Sequence, residues 1–205
     1  MAQRDAWPPG GAALPAVSAA LGDALNLPGT FALAAAGAAA CGADYLKVGL
    51  RAPAGEDEAC AFLRAVVRAA REVSRAVRVV VAAYAEADSI GSVSPARLPG
   101  IAARASADGC LIDTALKDGR SLFDHMEAGA IAHFLAACRE RGLTGGLAGS
   151  LSLDHVPRLL ELGPDVVGVR GAICAGGRGG RLDPLRLRAF RAALRGSASE
   201  ARRRA

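Results

Sequence analysis

Short apolar runs recur along the chain at intervals of about twenty to thirty-five residues: "LPAVSAALGD" (14–23), "ADYLKVGL" (43–50), "AVRVVVAAY" (76–84), "ADGCLIDT" (107–114), "GLTGGLAGS" (142–150) and "GPDVVGVRG" (163–171). Between them lie segments with helical spacing, such as "EDEACAFLRAVVRAAREVSRAV" and "LFDHMEAGAIAHFLAACRERG". Strands that alternate with amphipathic helices predict βα units and a parallel sheet. The runs are nearly continuous in apolar residues, as expected of strands covered on both faces. Within residues 43–50, alternation puts Tyr45, Lys47 and Gly49 on one face and Leu46, Val48 and Leu50 on the other.

Six units choose between an open doubly wound sheet and a TIM (βα)8-barrel lineage with about six of its eight units present. Polar residues collect at the strand exits: Asp23, Lys47 with Gly49, Tyr84, Asp113, Ser150 and Arg170. No GxGxxG turn follows the first strand, so the dinucleotide fold lacks its fingerprint. A barrel brings such exits to one mouth. The domain expected is therefore an incomplete βα barrel over residues 14–196, preceded by an irregular, proline- and glycine-rich segment at 1–13 and followed by a basic disordered tail at 197–205.

The chain has 205 residues, 52% of them hydrophobic but only 4% aromatic, so its core is built from small and aliphatic side chains. The net charge of +5 is concentrated at the end, where residues 178–205 carry nine arginines against Asp183 and Glu200. That leaves the remainder slightly acidic and argues for a solvated terminal helix rather than a nucleic-acid surface. The five cysteines, at 41, 60, 110, 138 and 174, are widely spaced with no CxxC pair, and read as small buried hydrophobes of a reducing compartment. The uncharged run from Ala24 to Ala43 is interrupted by Asn26, Pro28 and Gly29, which predicts a buried helix rather than a membrane span. The N-terminus lacks the continuous apolar stretch of a signal peptide, and a cytoplasmic location is expected.

Among the 25 basic residues only Lys47 and Lys117 are lysines. An amine loses a proton or forms an imine where a guanidinium cannot. Lys47 faces the interior of a barrel, and burying an ammonium is costly unless it is paired. Asp113 ends a strand and Lys117 follows four residues later, so the two share one rim. A carboxylate there can orient an amine or move a proton. The alternative for Asp113 is a helix cap, and for Lys47 a structural ion pair. Asp118 with Gly119 has the chemistry of a turn, and Asp124 that of a first-turn helix residue. The glycine-rich exits at Gly149–Ser150 and Arg170–Gly171 suit phosphate binding, by backbone N–H groups and by a bidentate arginine. The histidines at 125, 133 and 155 match no metal or nucleophile spacing and are expected to be structural or superficial. No metal cluster is indicated.

"SAALGD", "LPGTFALAAAGAAACGADYLKVGL", "VVVAAYAEADSIGSVSP", "LIDTALKDGRSLFD", "LAGSL" and "DVVGVRGAIC" occur in this order, and together resemble the (5-formylfuran-3-yl)methyl phosphate synthase family, over about residues 17–190. The resemblance implies a βα-barrel lyase that joins two molecules of glyceraldehyde 3-phosphate into a furan phosphate, a step toward methanofuran-type one-carbon carriers. It implies Lys47 as a proton-accepting lysine, Asp113 and Lys117 as an active-site pair, and Asp23 at the end of the family's third strand. No cofactor is implied, and the expected partners are a triose phosphate and further copies of the chain. Family members begin with two further βα units, the second ending in an Asp-x-Lys motif whose lysine forms the Schiff base. Nothing before Lys47 is a lysine, so the resemblance implies a chain starting at the family's third strand, with the first two missing. Two functions follow: the condensing lyase itself, with a start placed too late or with Lys47 or Lys117 forming the imine, or a catalytically impaired subunit that keeps phosphate binding.

Overall fold

The computed structural model describes residues 15–23, 27–51 and 55–204, with side chains as far as residue 195. The irregular segment expected at 1–13 lies outside the described residues. In chain order the elements are β1 (Ser18–Gly22), α1 (Pro28–Ala40), β2 (Tyr45–Gly49), α2 (Glu56–Val73), β3 (Arg78–Tyr84), α3 (Ala87–Ile90), α4 (Leu98–Arg104) and β4 (Gly109–Asp113). They continue with α5 (Leu122–His125), α6 (Ala128–Glu140), β5 (Thr144–Leu147), α7 (Val156–Leu162), β6 (Val166–Val167), β7 (Cys174–Ala175), β8 (Arg181–Leu182) and α8 (Pro184–Arg204).

Each of the six apolar runs contains one strand, β1 to β6, and these form a single parallel sheet in the order of the chain. A doubly wound sheet reverses its strand order at a switch point; this one does not reverse. The helices pack on one another in the same sequence, α1 on α2, α2 on α4, α4 on α6, α6 on α7 and α7 on α8, and so make one layer. Among the described residues the sheet does not close: β1 and β6 each pair with one neighbour. They nevertheless line a common cavity, to which β1 contributes Ser18 and Ala20 and β6 contributes Val166, so the sheet curls across its concave face.

The alternation in β2 decides which face does what. Leu46, Val48 and Leu50 are fully buried, and they join Val79, Val81 and Ala83 of β3, Cys110 and Ile112 of β4 and Leu147 of β5 in one core with the helices. Burying an aliphatic side chain of this kind stabilises by about 1.5–3 kcal/mol. The opposite face of β2 carries Tyr45, Lys47 and Gly49, in register with Arg78, Val80 and Ala82 of β3.

α2 shows why its segment is helical. Its buried residues Ala59, Leu63, Val66, Val67 and Ala70 repeat at helical spacing, Glu56, Asp57 and Glu58 occupy the first turn, and Arg71 lies in the last. These charges complement the helix dipole at both ends. Arg71 also donates to Asp108, which in turn accepts the N–H of Val79, so the helix is tied to the start of β3 and β4.

Three expectations need correction. α1 is helical as expected but only partly buried: Phe31, Ala35 and Ala39 face inward, with Phe31 edge-on to Phe62 at 5.3 Å, while Leu33 on the outer side is 77% exposed. No helix among the described residues is long and apolar enough to cross a membrane. Cys60, Cys110, Cys138 and Cys174 are buried, but Cys41 is exposed because it lies where α1 ends and the chain turns toward β2. The segment expected as a disordered tail continues α8 as helix to Arg204, in keeping with the helix propensity of its Ala, Glu and Arg residues.

Candidate functional site

The cavity on the concave face, about 680 Å³, lies at the C-terminal ends of the strands. Seven of the eight residues expected from the sequence line it: Lys47, Asp113, Lys117, Gly149, Ser150, Arg170 and Gly171. Asp23 does not; it stands beside the cavity as the acceptor for the phenol of Tyr84.

Asp113 is the centre of the arrangement. Its Oδ2 accepts from Lys47 Nζ at 3.5 Å, and its Oδ1 accepts from Lys117 Nζ at 3.3 Å and from the N–H of Thr114 at 2.8 Å. Lys47 comes from β2 and Asp113 from β4, so one strand, β3, separates the partners in the sheet. Lys117 is further held by the Thr114 carbonyl at 2.5 Å and the Thr114 hydroxyl at 2.9 Å. Three acceptors around Lys117 match the three donors of an ammonium. Lys47 has a single long contact and a side chain 35% exposed, which leaves its amine the freer of the two.

Next to this triad Tyr84 is directly opposite Asp113 across the β3–β4 pair, and its phenol reaches over β2 to Asp23. Gly49 makes that contact possible, because a methyl group there would overlap both the Asp23 carboxylate and the Tyr84 hydroxyl. Burial, followed by the bond to Asp23 and then the negative charges of Asp23 and Asp113, holds the Tyr84 phenol well above its ordinary pKa of 10.0. The phenol is thus a committed donor.

The exits of β5 and β6 form the far wall. Gly149 and Ser150 both have positive φ, at 109° and 48°, which turns the chain sharply over the cavity; Gly149 is packed against Thr114, and its carbonyl accepts the N–H of Leu122. Asp118 accepts from the backbone and the guanidinium of Arg120, and Gly119 follows with φ at 96°, as turn chemistry predicts. Asp124 and Ser121 form a capping box at the start of α5. His155 caps Ser152 and lies against Phe123, and His133 is exposed. No group of three metal-ligating side chains occurs among the described residues.

Two residues of this region were not among those expected. Arg178 lines the cavity from the loop between β7 and β8, facing the same space as Arg170. The sequence "GGRGG" signals a turn there but not that it folds back over the strand ends. Glu86, just past β3, is buried beneath the loop that carries Lys117. A groove of about 1070 Å³ along α2 is larger, but two of its arginines are engaged elsewhere, Arg64 on the Arg104 carbonyl and Arg71 on Asp108, and it holds no lysine.

The profile of the 4-HFC-P synthase family matches residues 12–191, a span that includes every residue of the cavity. The chain belongs to that family. The 4-HFC-P synthase assignment is carried also by individual relatives. The (5-formylfuran-3-yl)methyl phosphate synthase of Methanothermobacter thermautotrophicus is 48% identical over 161 residues, 78% of this chain and 68% of that protein. The enzyme of the same name from Archaeoglobus fulgidus is 47% identical over 162 residues, 79% of this chain and 69% of that protein. Among solved structures, QR15, an aldolase, superposes with a TM-score of 0.56 at 16% identity, over 77% of this chain and 69% of its own. That likeness speaks for the fold alone.

Proposed function

We propose that the chain is a lyase that condenses two molecules of glyceraldehyde 3-phosphate into (5-formylfuran-3-yl)methyl phosphate, releasing one phosphate and water, and that its curled sheet is part of the wall of a βα barrel. Membership of the 4-HFC-P synthase family and two relatives bearing that enzyme's name support the reaction. The sequential strand order and the single helix layer support the barrel.

The observation that carries the reading is the sharing of Asp113 by the only two lysines in the chain. Joining two aldehydes needs an amine that condenses with a carbonyl or takes the proton next to it, and a group that holds charge while water and phosphate leave. Lys47, with one partner, is the amine free to accept a proton or form an imine. Lys117, with three acceptors, is the fixed positive charge, and Asp113 orients both. Arg170 with the Gly149–Ser150 and Gly171 backbone takes the phosphate, where N–H groups and a guanidinium supply the donors.

The test is release of inorganic phosphate from glyceraldehyde 3-phosphate by the purified protein, measured with a coupled colorimetric assay. One phosphate for every two triose phosphates consumed supports the reaction. Consumption without phosphate release, or none at all, removes it.

A further inference from the structure

The loop from Thr114 to Ser121 brings Lys117 and Gly119 to the cavity. Its inner end is held by a carboxylate that the cavity chemistry does not use. Glu86 lies two residues beyond the end of β3, and only 2% of its side chain is exposed. Its Oε2 accepts the N–H of Ala115 and its Oε1 the N–H of Leu116, each at 3.0 Å. From the other side His125, the last residue of α5, places Nε2 3.7 Å from Oε1. That nitrogen is buried and makes no hydrogen bond.

A buried carboxylate is costly unless its oxygens are bonded and a positive partner is near. Successive backbone N–H groups that converge on one point form a concavity for an anion. Here the anion is the chain's own Glu86. An amide in its place has one accepting oxygen and an NH2 group that would confront the second backbone donor, so the pattern calls for a carboxylate in particular. We propose that Glu86 is a positioning residue for the Lys117 amine. It fixes the peptide units of Ala115 and Leu116, and these set where the chain turns to return Lys117 to Asp113 and Thr114. His125 of α5 packs beside the same carboxylate at 3.7 Å, so the far end of the loop also abuts this buried group. This deepens the function proposed above, resting on Lys117 as the fixed charge of the site, but its geometry can be tested without substrate.

Lys47 and Lys117 are the only lysines, so trace acylation followed by mass spectrometry reads each amine separately. In Glu86→Gln the labelling of Lys117 is expected to rise several-fold while that of Lys47 stays as in the unmodified protein. No change at Lys117 in the folded variant, or an equal rise at both lysines, overturns the proposal. If the variant does not fold, amide exchange in the unmodified protein decides. The Ala115 and Leu116 N–H groups are expected to be protected, and exchange at the rate of an exposed loop overturns the assignment. Neither readout involves turnover, so loss of the proposed reaction and loss of this positioning role are separate results.

Discussion

Lys47 and Lys117 approach opposite oxygens of one carboxylate, Lys47 at 3.5 Å from Asp113 Oδ2 and Lys117 at 3.3 Å from Oδ1. Only Lys117 has further acceptors, the carbonyl and hydroxyl of Thr114. Asp113→Asn keeps the shape and removes the shared charge. Loss of positioned acid/base catalysis costs about 10²–10⁴-fold in rate. A fall in kcat of that size is expected, with the fold retained by circular dichroism; an unchanged kcat removes Asp113 from the chemistry.

Gly49 is where Asp23 and Tyr84 meet, and the space a methyl group needs is already taken by their polar ends. Gly49→Ala should therefore part the pair or push β2 aside. Overpacking of this kind costs about 1–3 kcal/mol. Urea unfolding is expected to show a lowered midpoint with an unchanged slope, and Gly49→Ala combined with Asp23→Ala should lose less than the sum of the two single changes.

Tyr84 gives an alkaline signature. Its phenol is held above the ordinary 10.0 by burial and by the Asp23 and Asp113 charges. A raised folded-state pKa means that its contribution is complete below pH 10 and is lost as pH rises beyond it, because the unfolded chain releases the proton first. In a tyrosinate absorbance titration, the component removed by Tyr84→Phe is expected to lie well above pH 10. A missing component centred near 10 would refute the buried pair.

The opposite sign holds for Asp124. The Ser121 hydroxyl and then the Ser121 N–H lower its pKa from 3.8. A lowered folded-state pKa contributes stability above 3.8 that disappears as pH falls through the folded value. Thermal melts from pH 6 downward are expected to show a shallower acid decline in Asp124→Asn than in the unmodified protein, with the difference confined to the region of pH 4 and below.

How far the sequence anticipated the structure depends on how local each signal was. The strand positions and the inward turn of Lys47 follow from period-two alternation, a property of adjacent residues. Asp113 and Lys117 share a rim because four residues of loop separate them. Asp23 was expected at the same mouth, but its partner is Tyr84, brought from 61 residues away by the curl of the sheet. Arg178 depends on a hairpin of two-residue strands, too short to leave a periodic pattern. Glu86 follows an apolar strand as any surface glutamate might; only the folded loop supplies the two amide donors that explain its burial. The exposure of Leu33 reflects where α1 sits at the side of the helix layer, which spacing along a single helix does not encode, and that of Cys41 reflects the turn that follows α1.

In the proposed function, the Lys47–Asp113–Lys117 cavity turns two triose phosphates into a furan ring. The most direct measurement is ¹³C NMR of the purified protein incubated with uniformly ¹³C-labelled glyceraldehyde 3-phosphate. Signals of a substituted furan and a conjugated aldehyde are expected to grow, and to be lost with Asp113→Asn. Labelled triose phosphate that yields no furan signals in the presence of the folded protein would contradict it.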